Sequence, residues 1–119
     1  MSSYKSLPIY KAVYDVLMNI MQISHQLPRE YKYTIGEKMQ NEALEMVLCI
    51  YRANSMKNRA EHISIMKEHI QLLYLLLRVA HDLKLVSLEK YAGIVELVDL
   101  VSQQAHGWYK ASEKLRESV

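Results

Sequence analysis

LPREYKYTIGEKMQNEALEMVLCIYRAN, residues 27–54, decides what kind of chain this is. Pro28 stops whatever precedes it, because the residue before a proline is pushed out of the α region. Thr34 and Glu37 stand three apart, the spacing of a capping box. The hydroxyl bonds the N3 amide while the carboxylate reaches back to the cap amide. Beyond them Ile35, Met39, Ala43, Met46, Val47 and Ile50 recur at helical spacing. Asn54 and Ser55 supply a stop. The stretch predicts a short charged connection over 28–33, with room for one helical turn of its own, and a helix over 34–53.

Helices extend on both sides of it. Upstream, a helix over 8–26 has Ser6 as its cap and Pro8 in its first turn, where a missing amide costs nothing. Ile9, Val13, Val16, Leu17, Ile20, Ile23 and Leu27 line its buried face. Downstream lie a third helix over 58–83 and a fourth over 87–112, the latter capped by Ser87. On the fourth, Tyr91, Ala92, Val95, Val98, Ala105 and Tyr109 face inward, and Glu89, Glu96, Gln103 and Lys110 outward. Residues 113–119 read as a mobile tail of mixed charge. Short connections favour antiparallel neighbours, so the fold class is all-α: an antiparallel up-down-up-down four-helix bundle, one domain over 1–119.

The third helix carries more apolar surface than one bundle needs. Ile63, Met66, Ile70, Leu73, Leu77 and Ala80 form a seam with alternating steps of three and four. A second row follows at Leu72, Leu76, Val79 and Leu83. Leu75 interrupts the polar strip of Ser64, Lys67, Gln71, Arg78 and Asp82. An outer helix of a lone bundle needs an apolar arc of only about 100° or somewhat more. From the pattern alone two arrangements fit. Either the helix is central in its own bundle, or Leu72, Leu75, Leu76, Val79 and Leu83 are covered by another copy of the chain.

Composition narrows the class. Half of the 119 residues are hydrophobic, with three Gly and two Pro, as expected of a compact domain with a sizeable core. A single cysteine excludes an internal disulfide and fits a reducing cytoplasm. Residues 1–10 lack the apolar run of a signal peptide. The longest apolar run, Leu72 to Leu77, is far short of the roughly 20 residues that span a bilayer. A cytoplasmic chain with no membrane partner is expected.

The chemistry of common bundle enzymes is missing from the sequence. A di-metal carboxylate site needs Glu-x-x-His on two helices, and no Glu here has a His three positions on. Zinc spacings are absent too, and His62 and His69, seven apart, read as structural. Cys49 between Leu48 and Ile50 reads as a small core hydrophobe. The three glycines stand too far apart to cradle a phosphate. Arg78 and Asp82 are spaced to pair as i, i+4. No catalytic residue, cofactor or metal is expected.

Charge is more informative by position than in total. Fifteen basic against thirteen acidic residues give a net +2, short of the excess that marks a nucleic-acid domain. Up-down topology nevertheless sends the chain start, the connection between helices two and three, and the C-terminus to one end. There it gathers Lys5, Lys11, Arg52, Lys57, Arg59, Lys110, Lys114 and Arg116 against Asp15, Glu61, Glu113 and Glu117. Tyr4, Tyr10, Tyr51, Trp108 and Tyr109 fall at the same end, as stacking platforms for unpaired bases or as packing for helix ends. Lys5, Lys11, Arg52, Lys57, Arg59, Lys110 and Lys114 are the candidate nucleic-acid-binding residues.

Pro28-Arg29, Thr34-Ile35-Gly36-Glu37 and Ile50-Tyr51-Arg52-Ala53-Asn54 also carry a resemblance, with Leu7-Pro8-Ile9-Tyr10 and Ala80-His81-Asp82-Leu83. They resemble the family that joins the Avd accessory proteins of diversity-generating retroelements to the rRNA intervening-sequence proteins. The resemblance implies a four-helix bundle assembled as a homopentameric barrel. In the Avd branch it also implies binding to a reverse transcriptase and to nucleic acid, RNA or DNA. Two functions follow: a non-catalytic accessory protein for a retroelement reverse transcriptase and its RNA, or a self-assembling interaction bundle with no nucleic-acid role.

Overall fold

Four long helices account for the fold: α1 (Pro8–His25), α2 (Glu37–Ser55), α3 (Arg59–Asp82) and α4 (Leu88–Glu117). They are seen in a computed structural model that describes residues 3–55 and 57–117, and no strand occurs among them. Each helix packs against its neighbours in the chain, and α1 closes the bundle against α4. The result is an all-α, antiparallel four-helix bundle with extents of 51 × 20 × 20 Å.

The inner faces follow the apolar period closely. The whole α3 seam, Ile63, Met66, Ile70, Leu73, Leu77 and Ala80, is buried. It meets Val13, Val16 and Ile20 of α1 and Met39, Met46 and Ile50 of α2 in one core. On α1 the buried line includes Ala12, while Leu17 is only half-buried. On α4 the expected face is rotated. Ile94, Val98, Val101 and Ala105 are the buried residues, Val95 is half-buried and Ala92 is exposed. The run 94-98-101-105 keeps the three-and-four alternation of a bundle seam, which 91-92-95 does not. The helix also continues through Glu117, so 113–117 is helical rather than a tail. Residues 118 and 119 lie outside the described residues, as do the side chains of Arg116 and Glu117.

Two expected caps are not made. Ser6 donates instead to the Ser3 carbonyl (2.8 Å), and Ser3 Oγ caps a short 3-10 turn, Tyr4–Ser6, by accepting from the Lys5 amide. Leu7 stands at the N-cap of α1 with no side-chain bond, and Pro8 is the first helical residue. Thr34 does not cap α2 either. The chain turns helical directly behind Pro28, whose carbonyl accepts from the amides of Tyr31 (2.9 Å) and Lys32 (3.0 Å). One α-turn, Arg29–Tyr31, runs into a π-helical turn, Lys32–Gly36, and then into α2. Inside that turn Thr34 Oγ1 bonds backward to the Glu30 and Tyr31 carbonyls (3.2 and 3.3 Å).

Gly36 accounts for the position of the wide turn. It is buried against the end of α1, and Ser24 Oγ donates to its carbonyl at 3.2 Å. A Cβ at this position would stand 3.1 Å from Leu27 Cδ1 and 3.4 Å from Ser24 Cβ. The absence of a side chain therefore lets the two helices approach where the chain reverses. Ser87 does act as the expected cap of α4, its Oγ accepting from the Lys90 amide at 3.2 Å.

Candidate nucleic-acid interface

The end that holds the candidate cations is built from the Tyr4–Ser6 turn, the end of α2, the start of α3 and the last turns of α4. Lys5, Lys57, Lys110 and Lys114 are exposed there, and Arg52 is half-buried. Two of the seven are already engaged. Lys11 Nζ lies 3.7 Å from Asp15 Oδ2, an exposed i, i+4 pair. Arg59 Nε donates to the Ala53 carbonyl at 3.0 Å, and its guanidinium carbon stands 5.8 Å from the centre of the Trp108 ring. Arg59 thus ties the end of α2 to α4.

The aromatic residues divide in the same way. Tyr4 meets Tyr10 and Tyr51 edge-on, with ring centres 5.5 and 5.3 Å apart, and Tyr10 lies 6.2 Å from Tyr14. These rings pin the N-terminal turn across α1 and α2. Tyr109 serves a cation instead: Lys67 Nζ sits 4.6 Å from its ring centre and 3.3 Å from His106 Nδ1. Neither Lys67 nor His106 is among the seven candidates. Lys67 stands in register with Tyr74 and His81, seven apart on the flank of the α3 seam, but that spacing alone does not distinguish it from a solvated lysine.

Each of those three residues reaches α4. Tyr74 Oη donates to Asp99 Oδ1 at 2.5 Å, and His81 stacks on Tyr91 with ring centres 4.5 Å apart. Burial, and then the hydrogen bond to Asp99, push the Tyr74 hydroxyl up to about 12. At the end of α3, Arg78 Nε donates to both oxygens of Asp82 at 3.1 Å, the expected i, i+4 pair. The bond from His81, then those from Arg78, hold the Asp82 carboxyl below its usual range.

The opposite edge of α3 is different. Toward α2, besides the Arg59 bond to the Ala53 carbonyl, His69 Nδ1–H donates to Glu42 Oε2 at 2.5 Å, with Glu42 almost fully buried. This gives His69 the structural role expected of it; His62 is half-buried. Outside the seam, Leu72, Leu76 and Val79 are half-buried, while Leu75 and Leu83 are 57 and 47% exposed. Leu44, Leu48 and Tyr51 on α2, with Tyr14 and Met18 on α1, are also exposed. One chain leaves these apolar side chains open.

Cys49 is buried, and its thiol is pushed up to about 11 by burial, reinforced by Glu45 and opposed by Arg52. That is the setting of an inert core thiol. Among the described residues no group of three or more His, Cys, Asp or Glu is placed to hold a metal ion, and no helix is long and apolar enough to cross a membrane.

A family model described as bAvd-like matches residues 7–112. No curated protein matches the chain.

Proposed function

The chain belongs to the bAvd-like family, and from that premise we propose a non-catalytic, cytoplasmic accessory protein. It assembles with copies of itself and binds a retroelement reverse transcriptase and its RNA. The observation that carries the reading is the family match over 106 of 119 residues, 7 through 112. The geometry adds two supports. Exposed Lys5, Lys57, Lys110 and Lys114 share one end of the bundle with half-buried Arg52. Repeated around an oligomer, that end would present a ring of positive charge.

The second support is the open apolar surface. Four helices on a square present edges roughly 90° apart. The exposed residues of α1 and α2 lie along one edge, and the outer row of α3 along the next. If one copy's α1–α2 edge meets the next copy's α2–α3 edge, the contact is head-to-tail. Turning by roughly 90° or somewhat less at each step, it closes on the order of four to five copies. A homopentamer, the state implied by the family resemblance, is compatible with that geometry. Leu72, Leu75, Leu76, Val79 and Leu83 then lie at the interface.

A self-assembling bundle with no nucleic-acid role is the competing reading. What favours it is the engagement of Arg59 by Ala53 and Trp108, and of Lys11 by Asp15. Binding of a labelled single-stranded RNA over a salt series separates the two. The accessory reading expects binding at low salt that weakens steeply as salt rises. A Lys57→Gln/Lys110→Gln/Lys114→Gln variant flattens the slope by about 0.7 for each phosphate that its lysines no longer neutralise. Sedimentation of the same samples tests assembly: Leu72→Glu/Leu75→Glu yields monomer where the unmodified chain forms a closed oligomer. A chain that assembles but binds no RNA at the lowest salt belongs to the competing reading.

A further inference from the structure

The side-chain cluster left unused by the fold is at the α3–α4 groove. Lys67 crosses from α3 to α4, rests on the Tyr109 ring and reaches His106 Nδ1. An ammonium carries donors only, so Nδ1 accepts and the remaining imidazole proton sits on Nε2. His106 is exposed and Lys67 is half-buried. The ammonium of Lys67 thus meets a ring and an imidazole rather than a carboxylate. The charged groups around the cluster can be named helix by helix. On α3 they are Glu61 and Glu68, both exposed. On α4 they are Asp99, already held by Tyr74, exposed Lys110, and Glu113 one turn beyond Tyr109.

We propose that Lys67, His106 and Tyr109 form a proton-linked phosphate contact for single-stranded nucleic acid. The inference rests on the nucleic-acid reading above and names residues that reading did not include. Tyr109 holds the ammonium in the groove, where a lysine in open solvent would sample many rotamers. The Nε2–H of His106 is a second donor beside it. A phosphate oxygen placed against both draws Lys67 away from Nδ1, and that nitrogen is then free to take up a proton. Without the phosphate, a protonated His106 would face Lys67 as a like charge. With it, both cations are neutralised. The bound state therefore holds a proton more readily than the free state, and affinity rises as pH falls.

Fluorescence anisotropy of a labelled single-stranded RNA of mixed sequence, at constant ionic strength and at pH 6.0 and 8.0, tests this on the full chain. The unmodified chain binds roughly five- to tenfold more tightly at the lower pH, well inside the roughly hundredfold limit that one linked proton sets over two pH units. His106→Asn keeps a donor and an acceptor but does not titrate, and its affinity is the same at both pH values. Lys67→Gln weakens binding about tenfold at both. His62→Asn, away from the groove, keeps the pH dependence. Thermal melts of each variant establish that it is folded. Two results overturn the inference while leaving the nucleic-acid reading intact: a pH response that survives His106→Asn, or a folded Lys67→Gln that binds like the unmodified chain. Failure of the unmodified chain to bind RNA at low salt at either pH overturns both.

Discussion

The two edges of α3 differ in chemistry. Toward α4 it presents Lys67, Tyr74 and His81 at intervals of seven, each meeting a polar or aromatic side chain on the opposite helix. Toward α2 it presents an apolar seam with the His69–Glu42 pair and, at its start, the Arg59 bond to the Ala53 carbonyl, and beyond it an apolar row that its own chain covers only in part. A polar ladder ends a packed surface, because its groups are satisfied and the residues beyond it can face water. An apolar row without such a border has no finished edge. In the proposed assembly, α3–α4 would lie within one copy, and α2–α3 would be the edge open to another.

The sharpest way to break that comparison is to truncate one leucine from each apolar row. Leu73 is fully buried in the seam, and Leu73→Ala is expected to cost about 2–5 kcal/mol of stability in urea titrations. Leu72→Ala, half-buried one position away, is expected to cost well under half as much in dilute solution, and to weaken self-association in sedimentation. Equal losses from the two substitutions, with no change in association, would place Leu72 in the core and leave α2–α3 without an open edge.

The polar edge yields the next effect. Tyr74→Phe removes the bond to Asp99, worth about 1.5 kcal/mol as a charge-assisted bond at a partly exposed site. The pH dependence has a definite sign. The hydroxyl stands near 12 in the folded chain against 10 ordinarily, so its contribution is complete below about pH 10 and is lost as pH rises toward 12. Lysines titrate in the same window, so the informative quantity is the difference between the unmodified chain and Tyr74→Phe. That difference shrinks from pH 9 to pH 12 in chemical-denaturation curves. A constant difference would mean that Tyr74 contributes by packing alone.

Legibility in the sequence divides along these same lines. The α3 seam is legible because apolar residues at steps of three and four seldom recur over about five turns except on a helix packed along one side. The ladder beside it is not, because Lys67 resembles any solvated cation in the sequence. Only the positions of Asp99 and His106 on another helix give Tyr74 and Lys67 their roles. The start of α2 misleads for a different reason. Thr34 and Glu37 have capping-box spacing, but helix formation has already begun behind Pro28, and Gly36 lets the extra width be absorbed in a π turn against Ser24 and Leu27. At the candidate interface, topology gathers the cations correctly at one end. It does not show that Arg59 is held by Ala53 and Trp108, since that depends on a side-chain path no spacing encodes.

The smallest effect tests whether the α3–α4 edge is set by its turn as well as by its ladder. Lys84 has φ 62°, the left-handed conformation that favours glycine. The Leu85 amide bonds the Ala80 carbonyl and the Lys84 amide bonds the His81 carbonyl, both at 2.9 Å, which is the Schellman ending of a helix. A side chain in this conformation costs about 1 kcal/mol. Lys84→Gly relieves that cost, and the greater freedom of glycine in the unfolded chain takes back part of the gain. A net stabilisation of about 0.5 kcal/mol is expected in urea titrations. Because the bonds that close the turn come from the backbone, the ladder should not change, and Tyr74→Phe should cost the same with or without Lys84→Gly. A larger cost in the Lys84→Gly background would mean that turn and ladder are coupled. The α3–α4 edge would then be one cooperative unit, rather than a turn followed by independent pairs.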